Sequence, residues 1–97
     1  MHTIIDTINL TEYKGLKISK LVDVDATQIV KVAMEKGASF PTHESKTDVT
    51  LFVLEGNISF YINQQEFQLR KFQAFQFPKN EEHSVTAYEN SKFLLIK

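Results

Sequence analysis

Side-chain alternation with a period of two is the feature that most limits what this chain can become. In Asn57-Ile58-Ser59-Phe60-Tyr61-Ile62 the apolar residues Ile58, Phe60 and Ile62 fall on one face, and in Ser84-Val85-Thr86-Ala87-Tyr88 the residues Val85 and Ala87 do the same. Such segments are strands with one buried face. Val49-Thr50-Leu51-Phe52-Val53-Leu54 is apolar almost without a break, which predicts a central strand covered on both faces. Glu55-Gly56-Asn57 then supplies a turn, so that 49–54 and 57–62 are expected to pair as a hairpin. Further strands are predicted over 16–22, 28–34, 66–69, 73–77 and 92–96, each rich in β-branched or aromatic residues. The stretch 26–36 fits a helical frame poorly: Ile29, Val30, Val32 and Ala33 make no single stripe, and Thr27, Ile29, Val30 and Val32 are β-branched. Strands at this spacing, with little helix between them, indicate an all-β sandwich or barrel.

Ninety-seven residues make one domain, 1–97, without room for a separate cofactor domain. The formal net charge of −1 offers no field for a phosphate backbone, and Lys14, Lys17 and Lys20 are the nearest approach to a basic cluster, so nucleic acid is not an expected partner. The absence of cysteine removes disulfides, thiolate-bound zinc, iron–sulfur clusters and thiol catalysis. No apolar run is long enough for a membrane span, and Met1-His2-Thr3-Ile4-Ile5-Asp6 lacks the pattern of a secretory signal, so a soluble, cytoplasmic protein is expected. No Gly-rich phosphate loop and no nucleophile elbow is present.

What remains for chemistry is histidine and carboxylate. Two of the three histidines sit in parallel contexts, Phe40-Pro41-Thr42-His43 and Phe77-Pro78 followed by Lys79-Asn80-Glu81-Glu82-His83. If His83 opens the strand that carries Val85 and Ala87, alternation aims its imidazole at the interior. The plain reading is a pair of pocket histidines bonded to backbone or to each other; the sharper one is a pair of metal ligands. Glu44, Asp48, Glu81 and Glu82 are nearby in sequence, and solvated loop carboxylates are the simpler account of them. Phe40, Phe52, Phe60, Phe75 and Phe77 recur around the same region and are expected mostly to pack the core.

These residues resemble the cupin superfamily. Its first motif runs Gly, five residues, His, one residue, His, three or four residues, Glu, six residues, Gly; here Gly37, His43 and Gly56 take their places. The second runs Gly, five residues, Pro, one residue, Gly, two residues, His, three residues, Asn; here Pro78 and His83 do. Ser45 stands at the second His, Val49 or Thr50 at the Glu, and Phe72, Asn80 and Ala87 at Gly, Gly and Asn. The resemblance implies a small jelly roll, the double-stranded β-helix barrel, in which two His and a Glu from the first motif and a His from the second hold a metal.

With only His43 and His83 retained, the expectation is a cupin-like protein that binds an unknown small molecule in its lumen. His43, His83, Ser45, Thr50 and Phe52 are the candidate pocket residues. A divalent transition metal, Zn, Mn, Fe or Ni, is expected on His43 and His83 at low occupancy only, because two imidazoles fill half a tetrahedral shell. The alternative is a metal-dependent enzyme of dioxygenase or isomerase type that adds a nearby carboxylate. The apolar segments Thr3 to Leu10 and Phe93-Leu94-Leu95-Ile96 exceed what one barrel face can bury, which predicts a homodimer.

Overall fold

The computed structural model describes residues 2–97. Among them the chain forms one helical turn, α1 (Thr7–Leu10), and nine strands: β1 (Leu16–Val24), β2 (Thr27–Met34), β3 (Ser39–His43), β4 (Val49–Glu55), β5 (Asn57–Ile62), β6 (Gln65–Arg70), β7 (Ala74–Phe77), β8 (His83–Ala87) and β9 (Ser91–Ile96). The strands make two antiparallel sheets, five-stranded in the order β1-β2-β9-β4-β7 and four-stranded in the order β3-β8-β5-β6. The architecture is the all-β jelly roll expected. Among the described residues no helix is long and apolar enough to cross a membrane.

Alternation builds the core. Val30, Val32 and Met34 of β2, Phe93 and Leu95 of β9, and Val49, Leu51 and Val53 of β4 point inward from one sheet. They meet Ile58, Phe60 and Ile62 of β5 and Val85 and Ala87 of β8 from the other. β2 is a strand over 27–34, as its β-branched content predicts. On β4 the inner face is buried, whereas Thr50, Phe52 and Leu54 on the outer face are only half-buried, so cover on the second side is partial.

Two sequence expectations fail here, each for a physical reason. β4 and β5 are not a hairpin: β4 pairs with β7 and β9, and β5 with β6 and β8. Gly56 carries the chain from one sheet to the other at φ +97°, so close to β9 that an added Cβ would lie 2.7 Å from the Ser91 Cα and 2.5 Å from the Asn90 carbonyl. β3, not expected as a strand, pairs with β8 despite Pro41 at its centre. It is an edge strand, where a missing N–H costs little, and its register shifts between Phe40 and His43 around the proline.

The outer face of the five-stranded sheet is covered in part by the chain's own N-terminal segment. The Lys31 ammonium donates to the Thr11 hydroxyl, and Lys92 Nζ donates to the Ile8 carbonyl at 2.9 Å while lying 4.8 Å over the Tyr13 ring. Tyr13 in turn donates to the Glu55 carboxylate, and burial together with that carboxylate pushes its phenol pKa up. Lys31, Ala33 and Lys92 are buried beneath this strap. Ile96 keeps 37% exposure, and Ile4, Ile5 and Leu10 of the segment itself face outward.

Candidate functional site

β3 and β8 bring the two histidines together as direct cross-strand partners, forty residues apart in sequence. The Nε2 atoms are 3.1 Å apart, so the convergence predicted from the two Phe-Pro contexts is present. His83 is 4% exposed, packed beside the rings of Phe60 and Phe77 at centroid distances of 5.4 and 4.5 Å. His43 is half-buried on the edge strand and stacks on Phe40 at 4.3 Å.

The protonation of the pair follows from its other nitrogens. His43 Nδ1 lies 2.7 Å from the Pro41 carbonyl, and His83 Nδ1 lies 2.9 Å from the Glu81 carbonyl. A carbonyl oxygen only accepts, so each Nδ1 carries the hydrogen and, in the neutral rings, each Nε2 is bare. Two hydrogen-bond acceptors are therefore in contact with no hydrogen between them. A shared proton is opposed by the surroundings: burial lowers the His83 pKa below its usual value, the Glu81 carbonyl only partly offsets this, and the neighbouring His43 lowers it further.

The space around the pair is small. A cavity of about 10 Å³ lies among His43, His83, Phe40, Phe60, Phe77 and Leu51. That is the room of a single water molecule or ion. Phe60, Phe75 and Phe77 pack against one another beside the cavity.

The other expected pocket residues lie elsewhere. Thr50 and Phe52 are on the outward parity of β4, and the Thr50 hydroxyl accepts from the Gln76 amide at 3.4 Å. Of the two positions that could match the motif's Glu, Val49 faces the interior and Thr50 does not. Ser45 is buried in the loop after β3. Its hydroxyl accepts from the Thr47 N–H and its carbonyl from the Asn80 N–H, which ties the two histidine loops together without lining the cavity. Among the carboxylates, Asp48 accepts from the Lys79 N–H and Glu81 from the Asn63 amide, while Glu44 and Glu82 are exposed. Among the described residues no group of three or more His, Asp or Glu side chains converges. Sequence reasoning missed the two buried lysines of the outer face, Lys31 and Lys92, whose signal was a Lys within the apolar run Ile29 to Met34 and a Lys directly before the run Phe93 to Ile96.

A nine-stranded jelly roll with a histidine pair at one end of its interior defines a class of small β-barrel. A family model described as the cupin domain matches residues 30–96, more than half of the chain, and the protein belongs to the cupin family. Among solved structures, it is similar to a cupin superfamily protein of Desulfitobacterium hafniense, at 21% identity and a TM-score of 0.84 over 92% of this chain and 84% of that one. A conserved protein of unknown function from Streptococcus pyogenes matches at 20% identity and a TM-score of 0.84, over 99% and 86% of the two chains. A cupin conserved barrel domain protein of Leptotrichia buccalis matches at 27% identity and a TM-score of 0.81, over 92% of this chain and 44% of that one. None of the curated proteins compared matches this chain.

Proposed function

We propose that His43 and His83 form a two-nitrogen seat for one transition-metal ion, and that a small molecule binds by completing the shell of that ion rather than by filling the lumen. The observation behind this reading is the 3.1 Å Nε2 contact with both Nδ1 atoms donating to carbonyls. Backbone acceptors on the far nitrogen are how proteins orient metal-bound imidazoles. Two nitrogens that share a metal at about 2.0–2.1 Å each stand roughly this far apart. A low His83 pKa also leaves the ring free of a competing proton at neutral pH. With two neutral nitrogen donors and no carboxylate converging on them, zinc or nickel suits the seat better than manganese. Such an ion would polarise a ligand oxygen, and the protein's own residues would fix the two imidazoles and keep bulk water from their inner side.

Elemental analysis of tag-free protein, followed by zinc and nickel titration, tests this. The expected result is substoichiometric metal as purified and weak, reversible binding that either His43→Ala or His83→Ala abolishes. One tightly held metal per chain would instead favour the metal-dependent enzyme reading. No binding, or binding indifferent to both substitutions, would overturn the seat.

We also propose a homodimer, in which a second copy packs against exposed apolar side chains of the N-terminal segment and of the end of β9. Ile4 and Ile5 of the N-terminal segment and Ile96 at the end of β9 are exposed, and a twofold partner would take such apolar side chains out of water on both copies at once. Light scattering is expected to give twice the 11.2 kDa chain mass. A monomer mass at micromolar protein would refute the dimer.

A further inference from the structure

The strap and β1 border an open groove of about 600 Å³ on the outer face of the five-stranded sheet, lined among others by Thr11, Glu12, Lys17, Ser19 and Lys31. That volume lies within the range of small-molecule sites. Register explains the grouping. Ser19 pairs with Lys31 and Lys17 with Ala33, so Lys17, Ser19 and Lys31 all project to the outer side, and the Lys31–Thr11 contact holds the strap across them.

Lys31 is the unusual member. It is only 5% exposed, its ammonium donates to the Thr11 hydroxyl, and no carboxylate lies within ion-pair distance of it; the sole such pair among the described residues is Lys20–Asp23, at the far end of β1. A buried ammonium without an anion is costly, and three N–H groups with one protein acceptor leave donors to spare. Lys92, beneath the same strap, has the Ile8 carbonyl, the Tyr13 ring and, through Tyr13, the Glu55 carboxylate. Lys31 has no equivalent.

We propose that this groove binds a small oxyanion, a carboxylate or phosphate group, held by the Lys31 ammonium, with Lys17 at the rim and the Ser19 hydroxyl as a further donor; the Thr11 hydroxyl, which gives its own hydrogen to the Thr7 carbonyl, positions the ammonium. The site is on the opposite side of the five-stranded sheet from the histidine pair and does not depend on metal there. Glu12 lines the same groove and competes with any anion, so its removal should strengthen binding. Because a bound anion touches β1, β2 and the strap at once, it also fastens the N-terminal segment to the barrel.

The test is amide NMR of the whole protein, titrated with inorganic phosphate and separately with acetate, against sodium chloride at equal ionic strength. Saturable shifts at Thr11, Lys17, Ser19 and Lys31 are expected with at least one of the two probes. Saturation by phosphate alone would identify a phosphate group, and by both a general oxyanion site. Lys31→Met, which removes the charge while keeping the buried stem, should weaken binding by about tenfold or more, and Glu12→Gln should tighten it. Shifts that merely follow ionic strength, or saturable binding unchanged in Lys31→Met, would overturn the proposal. Lys17→Met, at an exposed position, gives a milder loss in a variant whose folding is not at risk. If Glu12→Gln left wild-type affinity for both probes unchanged, the Glu12 competition would be refuted.

Discussion

The half of the barrel that carries His43, residues 37–56, and the half that carries His83, residues 72–87, use one local device in unequal surroundings. Each histidine follows a Phe-Pro pair, each donates Nδ1–H to the carbonyl two residues earlier, and each presents Nε2 to the same small cavity. His83 stands on a strand bonded on both sides, by β3 and β5, and is sealed by Phe60 and Phe77. His43 stands on an edge strand interrupted by Pro41 and is half-exposed. The corners reverse the order. Gly56 closes the His43 half in a conformation and a space that only glycine fits, whereas Phe72 opens the His83 half at φ +67°, where the family motif has glycine. The first half thus has a settled corner and an adjustable ring, and the second a strained corner and a fixed ring. Under the proposed reading, ligand exchange at the pair would take place on the His43 side.

The largest effect is expected at the settled corner. Gly56→Ala places a Cβ 2.5 Å from the Asn90 carbonyl and 2.7 Å from the Ser91 Cα at φ +97°. Backbone strain and overpacking together should cost about 3 kcal/mol or more, read as a fall in the urea midpoint. A loss below about 1 kcal/mol would mean that β9 can yield and that this corner is not what sets the sheets' relation.

Legibility in the sequence divides along similar lines. Alternation exposed the strands whose two faces differ, and the repeated Phe-Pro context exposed the histidine pair. Parity on β4 is unreadable because Val49 to Leu54 is apolar at nearly every position, so nothing in the sequence shows that Thr50 and Phe52 face outward and not into the lumen. The Glu55-Gly56-Asn57 turn signal was genuine, but a turn specifies a local bend and not which sheet the next strand joins. β3 escaped notice because proline argues against a strand unless the strand is known to lie at an edge, which is a tertiary fact. The small lumen was illegible for the same reason: Phe60, Phe75 and Phe77 could be counted, but not their mutual packing.

A middling effect separates the two rings directly. In metal-free protein the His83 pKa is lowered on folding, chiefly by burial, so below the ordinary value of 6.5 the unfolded chain takes up this proton before the folded one does. Stability is therefore full above pH 6.5 and declines as the pH falls from there toward the lowered folded pKa. Denaturant unfolding in the presence of a chelator should show this slope in the wild type and in His43→Gln, but not in His83→Gln. A slope carried by His43 instead would reverse the assignment of fixed and adjustable rings.

The smallest effect lies at the strained corner, and it has the opposite sign. Phe72 is 69% exposed, and its ring has the Lys71 ammonium 4.9 Å from its centroid. Its backbone N–H is bonded to the Val53 carbonyl at 2.7 Å, which any residue can supply. Little packing is therefore lost when the side chain is removed, while a bulky residue held in the left-handed region costs on the order of 1 kcal/mol. Phe72→Gly should accordingly stabilise the protein by up to about 1 kcal/mol, less the extra entropy glycine gives the unfolded chain. Phe72→Ala, which keeps a Cβ at the same φ, should recover little of it. The two urea midpoints decide the matter: a gain for glycine but not alanine locates the strain in the backbone, whereas a loss for both would show that the exposed ring is held by contacts stronger than the cation above it.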